Sequence, residues 1–152
     1  MIERDLNTDE AKTQMKGVIN EIEICICCLD EREFPLKVHP LGISKMDDEA
    51  NFWFIYNKGK YANLQIGNGN HLELIYSEPG QAHLLTVYGI AAVVDDRHKL
   101  EEVWTGIGNE LFEQGINDPN IVLLKIAPTE AYYNGGANFG HFVIHGNRSK
   151  AA

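Results

Sequence analysis

HLELIYS, at residues 71–77, is the stretch of sequence that decides the fold. Its apolar residues Leu72, Leu74 and Tyr76 fall at every second position, which is the spacing of a strand with one buried face. The four residues that follow, EPGQ, are typical of a turn, and the run from Ala82 to Val94 is again rich in strand-forming residues. The two runs are therefore predicted to pair as an antiparallel hairpin.

Other strand-like segments lie on both sides of this hairpin. The aromatic run FWFIYN is the most strand-prone of them, because aromatic side chains fit a pleated surface. Pro40 and Gly42 interrupt another segment, and a proline inside a strand favours an edge or a bulge, so that strand is expected to bend. Outside the hairpin, strands are predicted over residues 18–29, 34–46, 51–57, 121–127 and 137–145.

Two helices are predicted. A short helix opens the chain, with Asn7 or Thr8 as its N-cap and Gly17 at its end. A long helix covers residues 96–112 and is capped by Asp95 or Asp96. Its apolar residues follow the three-four spacing of a single buried stripe, formed by Leu100, Val103, Trp104, Ile107 and Leu111.

The order of these elements indicates the fold class. Strands that follow one another through short turns favour a mainly β (α+β) protein, in which an antiparallel barrel carries helices on its flank. Residues 61–66 are compatible with one or two further helical turns. Residues 1–152 are expected to form a single domain with a core over about 15–145, because the length suits one domain and no repeat or linker interrupts it.

The charge of the chain excludes several partners. It has 13 Lys and Arg against 22 Asp and Glu, a formal net charge of −9 at pH 7, and no basic run. Nucleic acids and anionic membranes are bound mainly through basic side chains, so neither is expected as a partner. No stretch approaches the roughly 20 apolar residues that span a bilayer, and the first residues lack the pattern of a signal peptide. A cytoplasmic protein is expected.

The cysteines and histidines do not predict a metal site. Cys25, Cys27 and Cys28 lie in one apolar run, and no second pair completes a four-ligand zinc site. They are interpreted as buried free thiols. His141 and His145 lie four residues apart without a third ligand, which is too weak a pattern for a metal. No metal and no catalytic side chain are predicted.

Four strings of this sequence resemble, in the same order, motifs of one protein family. They are FWFIYN (52–57), LIYSEPG (74–80), YGIAAVVDD (88–96, followed by EVW at 102–104) and DPNIVLLKIAP (118–128). The family is that of the flavin-binding split-barrel proteins related to pyridoxamine 5′-phosphate oxidase, and the closer branch is the bacterial general stress proteins. The resemblance covers about residues 15–135 and implies an antiparallel split β-barrel of the FMN-binding type.

The resemblance also implies a cofactor site and a partner. In this family FMN lies at the interface of a homodimer, with its ring against one barrel and its phosphate held by basic and hydroxyl side chains. By this resemblance, residues 39–41 stand where the family has Arg-Pro-Met beside the flavin ring. Residues 55–57, at the end of the aromatic strand, stand where the family's strand lines the ring. Residues 58–63 stand at the family's phosphate loop. The implied cofactor-binding residues are His39, Pro40, Leu41, Ile55, Tyr56, Asn57, Lys58 and Lys60, with Trp104 either a further cofactor contact or part of the helix core.

The sequence departs from the family pattern around the phosphate. The departures are Tyr56 for the family's Thr, Lys60 for its Ser, Ala62 for its Lys and His39 for its Arg. A phosphate dianion needs several charge-assisted donors. Lys58 and Lys60 are expected to supply two cations, with backbone N–H groups near Gly59 as further donors.

Two functions follow from these observations. The first is an FMN-binding flavoprotein, a stress-related oxidoreductase that works as a homodimer through its flavin and needs no side chain as acid, base or nucleophile. The second is a non-enzymatic split-barrel protein with weakened or lost flavin binding that serves as a ligand-binding or interaction module. Haem or a different flavin is an alternative ligand. Oxidation of pyridoxamine phosphate itself is disfavoured, because a second phosphate needs its own basic cluster.

Overall fold

The structure, a computed structural model, describes most of the chain. The described residues are 2–5, 9–22, 24–29, 35, 37–42, 44–61, 65–78, 80, 83–135 and 138–143. Their elements, in chain order, are β1 (Ile2–Asp5), α1 (Asp9–Glu21), β2 (Ile24–Leu29), β3 (Val38–Gly42), β4 (Ser44–Met46), β5 (Phe52–Asn57), β6 (His71–Glu78), β7 (His83–Val93), α2 (Arg97–Val103), α3 (Gly106–Leu111), a 3-10 helix (Gly115–Asn117), β8 (Ile121–Gly135) and β9 (Asn138–Val143).

The strands join in one curled sheet. Its order is β1-β9-β8-β7-β6-β2-β3, with β5 attached to β8 and β4 to β5. The pairing of β1 with β9 is parallel, and the other described pairings are antiparallel. Residues 121–126 of β8 pair with β5 and residues 130–135 pair with β9, so one long strand serves two partners on the same side. The sheet closes towards itself where β3 lies against β5, although no described ladder joins those two strands.

The hairpin predicted from HLELIYS is confirmed. β6 and β7 pair from His71↔Ile90 to Glu78↔His83. The side chains of Leu72, Leu74 and Tyr76 are buried, whereas the residues between them are more exposed. Burying one such side chain stabilises the fold by about 1.5–3 kcal/mol, so this alternation is enough to set the register. The predicted mainly β class, with an antiparallel barrel and flanking helices, is likewise confirmed.

β5 is buried on both faces. Phe52, Phe54 and Tyr56 belong to the hydrophobic core inside the half-barrel. Trp53 and Ile55 belong to a second cluster, which packs β5 and β8 against the helices and contains Val103, Phe112 and Leu123 as its other buried members. The continuous apolar run of β5 therefore reflects a strand between two layers, as is typical of strands covered on both sides.

The first helix is longer than the sequence predicts. It was expected to end at Gly17, but α1 continues to Glu21. Ala11, Met15 and Ile19 are all buried, one turn apart on one face. A glycine within a helix costs about 1 kcal/mol relative to alanine. Burying Ile19 contributes more than that, so the helix continues. The predicted caps Asn7 and Thr8 lie outside the described residues.

The prediction of one long helix over residues 96–112 is wrong in one respect, because the structure has two helices there. Asp96 caps α2 as predicted, accepting a hydrogen bond from the backbone N–H of Lys99 (3.1 Å). Trp104 then adopts extended backbone, and α3 starts at Gly106. The Trp104 ring packs so closely on Gly108 that an added Cβ would lie 2.6 Å from it. The glycines weaken helix propagation, and the break lets Trp104 pack on Phe112, with ring centroids 5.7 Å apart.

Other predicted boundaries shift in the structure. The strand expected over 18–29 begins only at Ile24, because residues 18–21 belong to α1. The strand expected over 34–46 is observed as β3 and β4, and Pro40 lies in β3 at the end of the sheet, as its edge preference predicts. β8 continues eight residues beyond the predicted Ala127, and β1 was not predicted. The turn residues Pro79 and Gln81, residues 62–64 of the expected helical turns, and His145 lie outside the described residues. Among the described helices, none has the length and hydrophobicity needed to cross a membrane.

Candidate functional site

The β3 segment presents its residues alternately to two sides. Leu41 lies opposite Cys25 and is buried in the barrel core, and His39 lies opposite Cys27 on the same side but is half-buried. Pro40 lies opposite Ile26 on the outer side and is exposed. Residues 39–41, the predicted flavin segment, therefore offer one polar side chain, His39, on the side that faces the barrel interior.

The end of β5 also divides its predicted residues between two faces. Tyr56 lies in the barrel core together with Leu41, whereas Ile55 points into the helical cluster. Burial raises the pKa of Tyr56, and a hydrogen bond with the backbone of Ile66 partly offsets this. The phenol is therefore a neutral hydroxyl at neutral pH. The structure brings Leu41 and Tyr56 into one core and leaves Ile55 in the other.

Asn57 organises the loop that follows β5. Its Oδ1 accepts hydrogen bonds from the backbone N–H groups of Gly59 (2.9 Å) and Lys60 (3.2 Å). Its backbone carbonyl accepts from Lys60 (3.2 Å) and from Tyr61 (3.1 Å). Its Nδ2 donates to the carbonyl of Leu111 (3.1 Å), which ties the loop to the end of α3. Asn57 is therefore a buried structural residue that fixes the position of the loop.

The loop offers its side-chain charges to a ligand but not its N–H groups. The N–H of Lys58 donates to the carbonyl of Asn120 (3.0 Å), so the N–H groups of residues 58–61 are all engaged within the protein. The expected backbone donors near Gly59 are therefore not free. The side chains of Lys58 and Lys60 are exposed, and neither has an ion pair or hydrogen bond to another described residue. Ala62 lies outside the described residues.

Trp104 belongs to the helical layer. Its ring is half-buried between Gly108 and Phe112, and it packs in the same cluster as Ile55. This packing is what the core alternative predicts, and a contact of Trp104 with a cofactor stays a prediction. The structure thus groups Trp104 with Ile55 and separates both from Leu41 and Tyr56.

A polar cluster around Trp53 was not predicted. Its indole N–H donates to Asp47 Oδ2 (2.9 Å), and the Nζ atoms of Lys99 and Lys125 lie 4.6 and 5.9 Å from the ring centroid. Such cation–π contacts contribute on the order of 0.5–1 kcal/mol each. Lys125 lies opposite Trp53 across the β5–β8 ladder, so only knowledge of that register would have indicated the pair.

Asp47 accepts more hydrogen bonds than its place in a turn suggests. Besides the Trp53 indole, it accepts from the backbone N–H groups of Glu49 (2.9 Å) and Asn51 (2.9 Å). Burial by itself would raise the pKa of Asp47, but the hydrogen bonds from Trp53, Asn51 and Glu49 outweigh it and hold the pKa below its usual value.

Because its pKa is lowered in the folded state, Asp47 makes a contribution to the stability of the fold that depends on pH. A carboxyl whose pKa is depressed in the folded state stabilises the fold above its unfolded pKa of about 3.9, and this stabilisation is lost as pH falls through the folded pKa. Asp47→Asn is expected to lower the free energy of unfolding by about 1 kcal/mol at pH 7, and the difference from wild type should shrink below about pH 4. Urea unfolding at a series of pH values measures it. Asp48→Asn is the control, because Asp48 is exposed; an equal loss in both variants would contradict the assignment.

The two buried cysteine thiols, Cys25 and Cys27, are not reactive groups of this site. Cys25 and Cys27 are free and buried, as predicted, and Cys28 is half-buried on the other face. Burial raises the pKa of Cys25 to about 12, against a smaller lowering by a hydrogen bond from Tyr76. Burial, followed by the neighbouring thiols, raises the pKa of Cys27 to about 12. Both remain protonated at neutral pH, and a protonated thiol is a poor nucleophile.

Two cavities lie away from the predicted site residues. One, of about 410 Å³, lies between β2, β6, β7 and β8, and its polar lining includes His71, Glu73 and Glu130. Burial, followed by the charge of Glu73, raises the pKa of Tyr88 at its wall. The other, of about 290 Å³, lies beside the start of α2. None of the cofactor residues predicted from the sequence lines either of these two cavities.

Comparison with known proteins extends these observations. A family model described as "Pyridoxamine 5'-phosphate oxidase like" matches residues 10–151. The chain resembles a solved structure of a protein related to general stress protein 26, from Clostridium acetobutylicum, with a TM-score of 0.73, 16% identity and coverage of 95% of this chain and 99% of that one. It also resembles a general stress FMN/FAD binding protein from Xanthomonas citri, with a TM-score of 0.69, 18% identity and coverage of 84% and 90%. No curated protein matches the sequence. At these identities the likenesses show the fold alone, and the predicted split barrel is confirmed.

Proposed function

Because the chain belongs to the pyridoxamine 5′-phosphate oxidase like family, we propose that it binds FMN and acts as a stress-related oxidoreductase through that flavin. The observation that carries this proposal is the pair Lys58 and Lys60. Both are exposed cations without a partner among the described residues, and they stand on a loop that Asn57 holds in place. In a chain of net charge −9, two such lysines on one loop suit a phosphate dianion.

The residues present fit a flavin through side-chain charge. Lys58 and Lys60 would hold the phosphate, and the β3 segment around His39 would lie beside the ring. Bound FMN supplies hydride or single-electron transfer, so the protein needs to provide binding, orientation and limited access of solvent. The buried thiols and the neutral Tyr56 add no competing nucleophile near neutral pH.

Removing both lysines is expected to weaken FMN binding roughly 30-fold, or about 2 kcal/mol, because each exposed charge-assisted contact to phosphate contributes about 1 kcal/mol. The variant is Lys58→Ala with Lys60→Ala, and the measurement is an FMN titration followed by quenching of flavin fluorescence. Lys12→Ala with Lys16→Ala is the matched control, since it makes the same change of net charge at two half-buried lysines of α1, which contact Asp48 and not the loop. The phosphate assignment is contradicted by equal affinities of the two double variants.

A second function is favoured by a specific observation. The N–H groups of residues 58–61 are all engaged inside the protein, so the loop lacks the backbone donors that a tight phosphate site uses. This favours a split-barrel protein with weakened or lost flavin binding, which serves as a ligand-binding or interaction module. The same FMN titration on the wild-type protein separates the two functions, because the first predicts saturable binding at micromolar FMN and the second predicts none at that concentration.

We also propose that the protein is a homodimer in the cytoplasm. Ile24 (62% exposed), Ile26 (47%) and Val38 (55%) form an apolar strip on the outer side of β2 and β3. Ile26 lies opposite Pro40 on one neighbouring strand and Ile75 on the other, so the strip is continuous with the predicted flavin segment. A second copy on this strip would remove it from water and would cover Pro40, the residue of the predicted flavin segment that lies on the same side. The free thiols support a reducing compartment.

A charge in this strip is expected to disrupt the dimer. Ile26→Glu would bury an unpaired carboxylate between the copies and weaken dimerisation at least about tenfold. Sedimentation velocity over a range of protein concentrations measures the effect, and Thr13→Glu, on the exposed side of α1, is the control. A wild-type protein that sediments as a monomer at every concentration would refute the proposal, as would an Ile26→Glu variant that dimerises normally.

A further inference from the structure

Three side chains that could bind a metal converge at the closed end of the β6–β7 hairpin. Glu78 is the last residue of β6 and His83 the first of β7, and the two are direct cross-strand partners. Glu21, the last residue of α1, reaches the same place from outside the hairpin. One ligand atom from each of the three side chains lies within 4.8 Å of the other two. The sequence alone did not indicate this cluster, because Glu21 is far from Glu78 and His83 along the chain.

The charges of the cluster favour a cation between its members. Glu21 stands at the negative end of the α1 dipole, and the last turn of α1 carries no basic residue. Within the described part of the chain, Glu78 has one ion pair, with His83 (3.9 Å), and Glu21 has none. The Glu21 carboxylate is repelled both by the negative end of the α1 dipole and by the nearby carboxylate of Glu78. A divalent cation bound between them would remove both penalties.

We propose that Glu21, Glu78 and His83 bind a zinc ion. One imidazole nitrogen with two carboxylate oxygens is a ligand set that Zn²⁺ accepts, whereas Mg²⁺ is bound through oxygen alone. Ligands on one Zn²⁺ lie about 2.0–2.2 Å from the ion, so the side chains must close slightly. They are free to do so, since His83 and Glu78 are 36% and 33% exposed and Glu21 is exposed.

The bound ion would connect α1 to the hairpin. The buried face of α1 packs on the barrel core through Met15 and Ile19, but its C-terminal turn ends at the cluster. A ligand that binds only the folded state raises its stability by mass action. Zinc is therefore expected to raise the thermal unfolding midpoint, and this effect does not depend on flavin.

The test is a titration of the metal-free, untagged full chain with Zn²⁺ by isothermal calorimetry, with the thermal midpoint as the second readout. Wild type is expected to bind one Zn²⁺ per chain and to gain stability, with no comparable response to Mg²⁺. His83→Ala and Glu21→Gln are each expected to weaken Zn²⁺ binding at least about tenfold, because even residues that only support metal ligands have effects of that size. His98→Ala is the matched control, since His98 is an exposed histidine on α2.

Several outcomes would overturn the site. They are no saturable Zn²⁺ binding by wild type, unchanged affinity in Glu21→Gln, and an equal loss of affinity in His98→Ala. A circular dichroism spectrum shows whether the His83→Ala variant is folded. If it is not, Glu21→Gln decides the matter, because an exposed, isosteric replacement at the end of a helix leaves the fold intact.

Discussion

Phe54→Ala is expected to lower the free energy of unfolding by about 4 kcal/mol. Phe54 is fully buried in the barrel core, and its cross-strand partner on β8, Leu124, is fully buried too. Because β5 lies between the barrel core and the helical cluster, it cannot move inward to fill the cavity without opening the other layer. The cost is therefore expected near the upper part of the range for Phe→Ala. Urea unfolding followed by circular dichroism measures it.

The size of the side chain provides the control. Phe54→Leu retains most of the volume and is expected to cost about 1 kcal/mol. If both replacements cost less than about 1 kcal/mol, Phe54 does not fill the barrel, and the two-layer arrangement of β5 is wrong.

Gly89→Ala is expected to lower the free energy of unfolding by about 3 kcal/mol. A Cβ at this position would lie 2.8 Å from Ile126 Cγ2 and 2.9 Å from the carbonyl oxygen of Ala127. The second contact is with the backbone of β8, which is held by ladders to β7 and β5 and cannot yield as a side chain does. The register of β7 with β8 shifts between Tyr88 and Gly89, so the glycine permits the close approach at this irregularity.

Gly42→Ala is the matched control for this prediction. Gly42 also lies in a strand, but an added Cβ there meets nothing within 4 Å. Its replacement is expected to change the stability by less than about 0.5 kcal/mol. Similar stabilities of the two variants would contradict the tight contact between β7 and β8.

The parts of the fold that the sequence predicts are those in which local pattern and burial agree. The alternation of Leu72, Leu74 and Tyr76 survives in β6 because one face of that strand is inside the barrel. The aromatic run of β5 was predicted as a strand, but its burial on two sides depends on the helices that cover Trp53 and Ile55. No local pattern reports the presence of that second layer.

The failures of the prediction arise where a distant contact outweighs a local preference. Gly17 is typical of a helix end, yet Ile19 lies beyond it and is buried, and this burial stabilises α1 as far as Glu21. Trp104 fits a continuous helical stripe, yet its packing on Gly108 and Phe112 breaks the helix. β1 was missed because its pairing with β9 joins the two ends of the described chain.

The candidate site was predicted only through resemblance, and the structure refines it. The resemblance implied that Lys58 and Lys60 stand on the phosphate loop, and the structure leaves both side chains exposed on the loop after β5. The sequence could not show that Asn57 accepts hydrogen bonds from the N–H groups of Gly59 and Lys60. That geometry depends on the hydrogen bond from Asn57 to the distant carbonyl of Leu111.

The most direct test of the central claim is a titration of the purified wild-type protein with FMN. An absorption spectrum of the fresh preparation is recorded first, and the titration is then monitored by flavin fluorescence. We expect a yellow protein, or saturable quenching at micromolar FMN with one flavin per chain. A colourless protein that does not respond to FMN would leave the split barrel intact and would contradict the flavoprotein function.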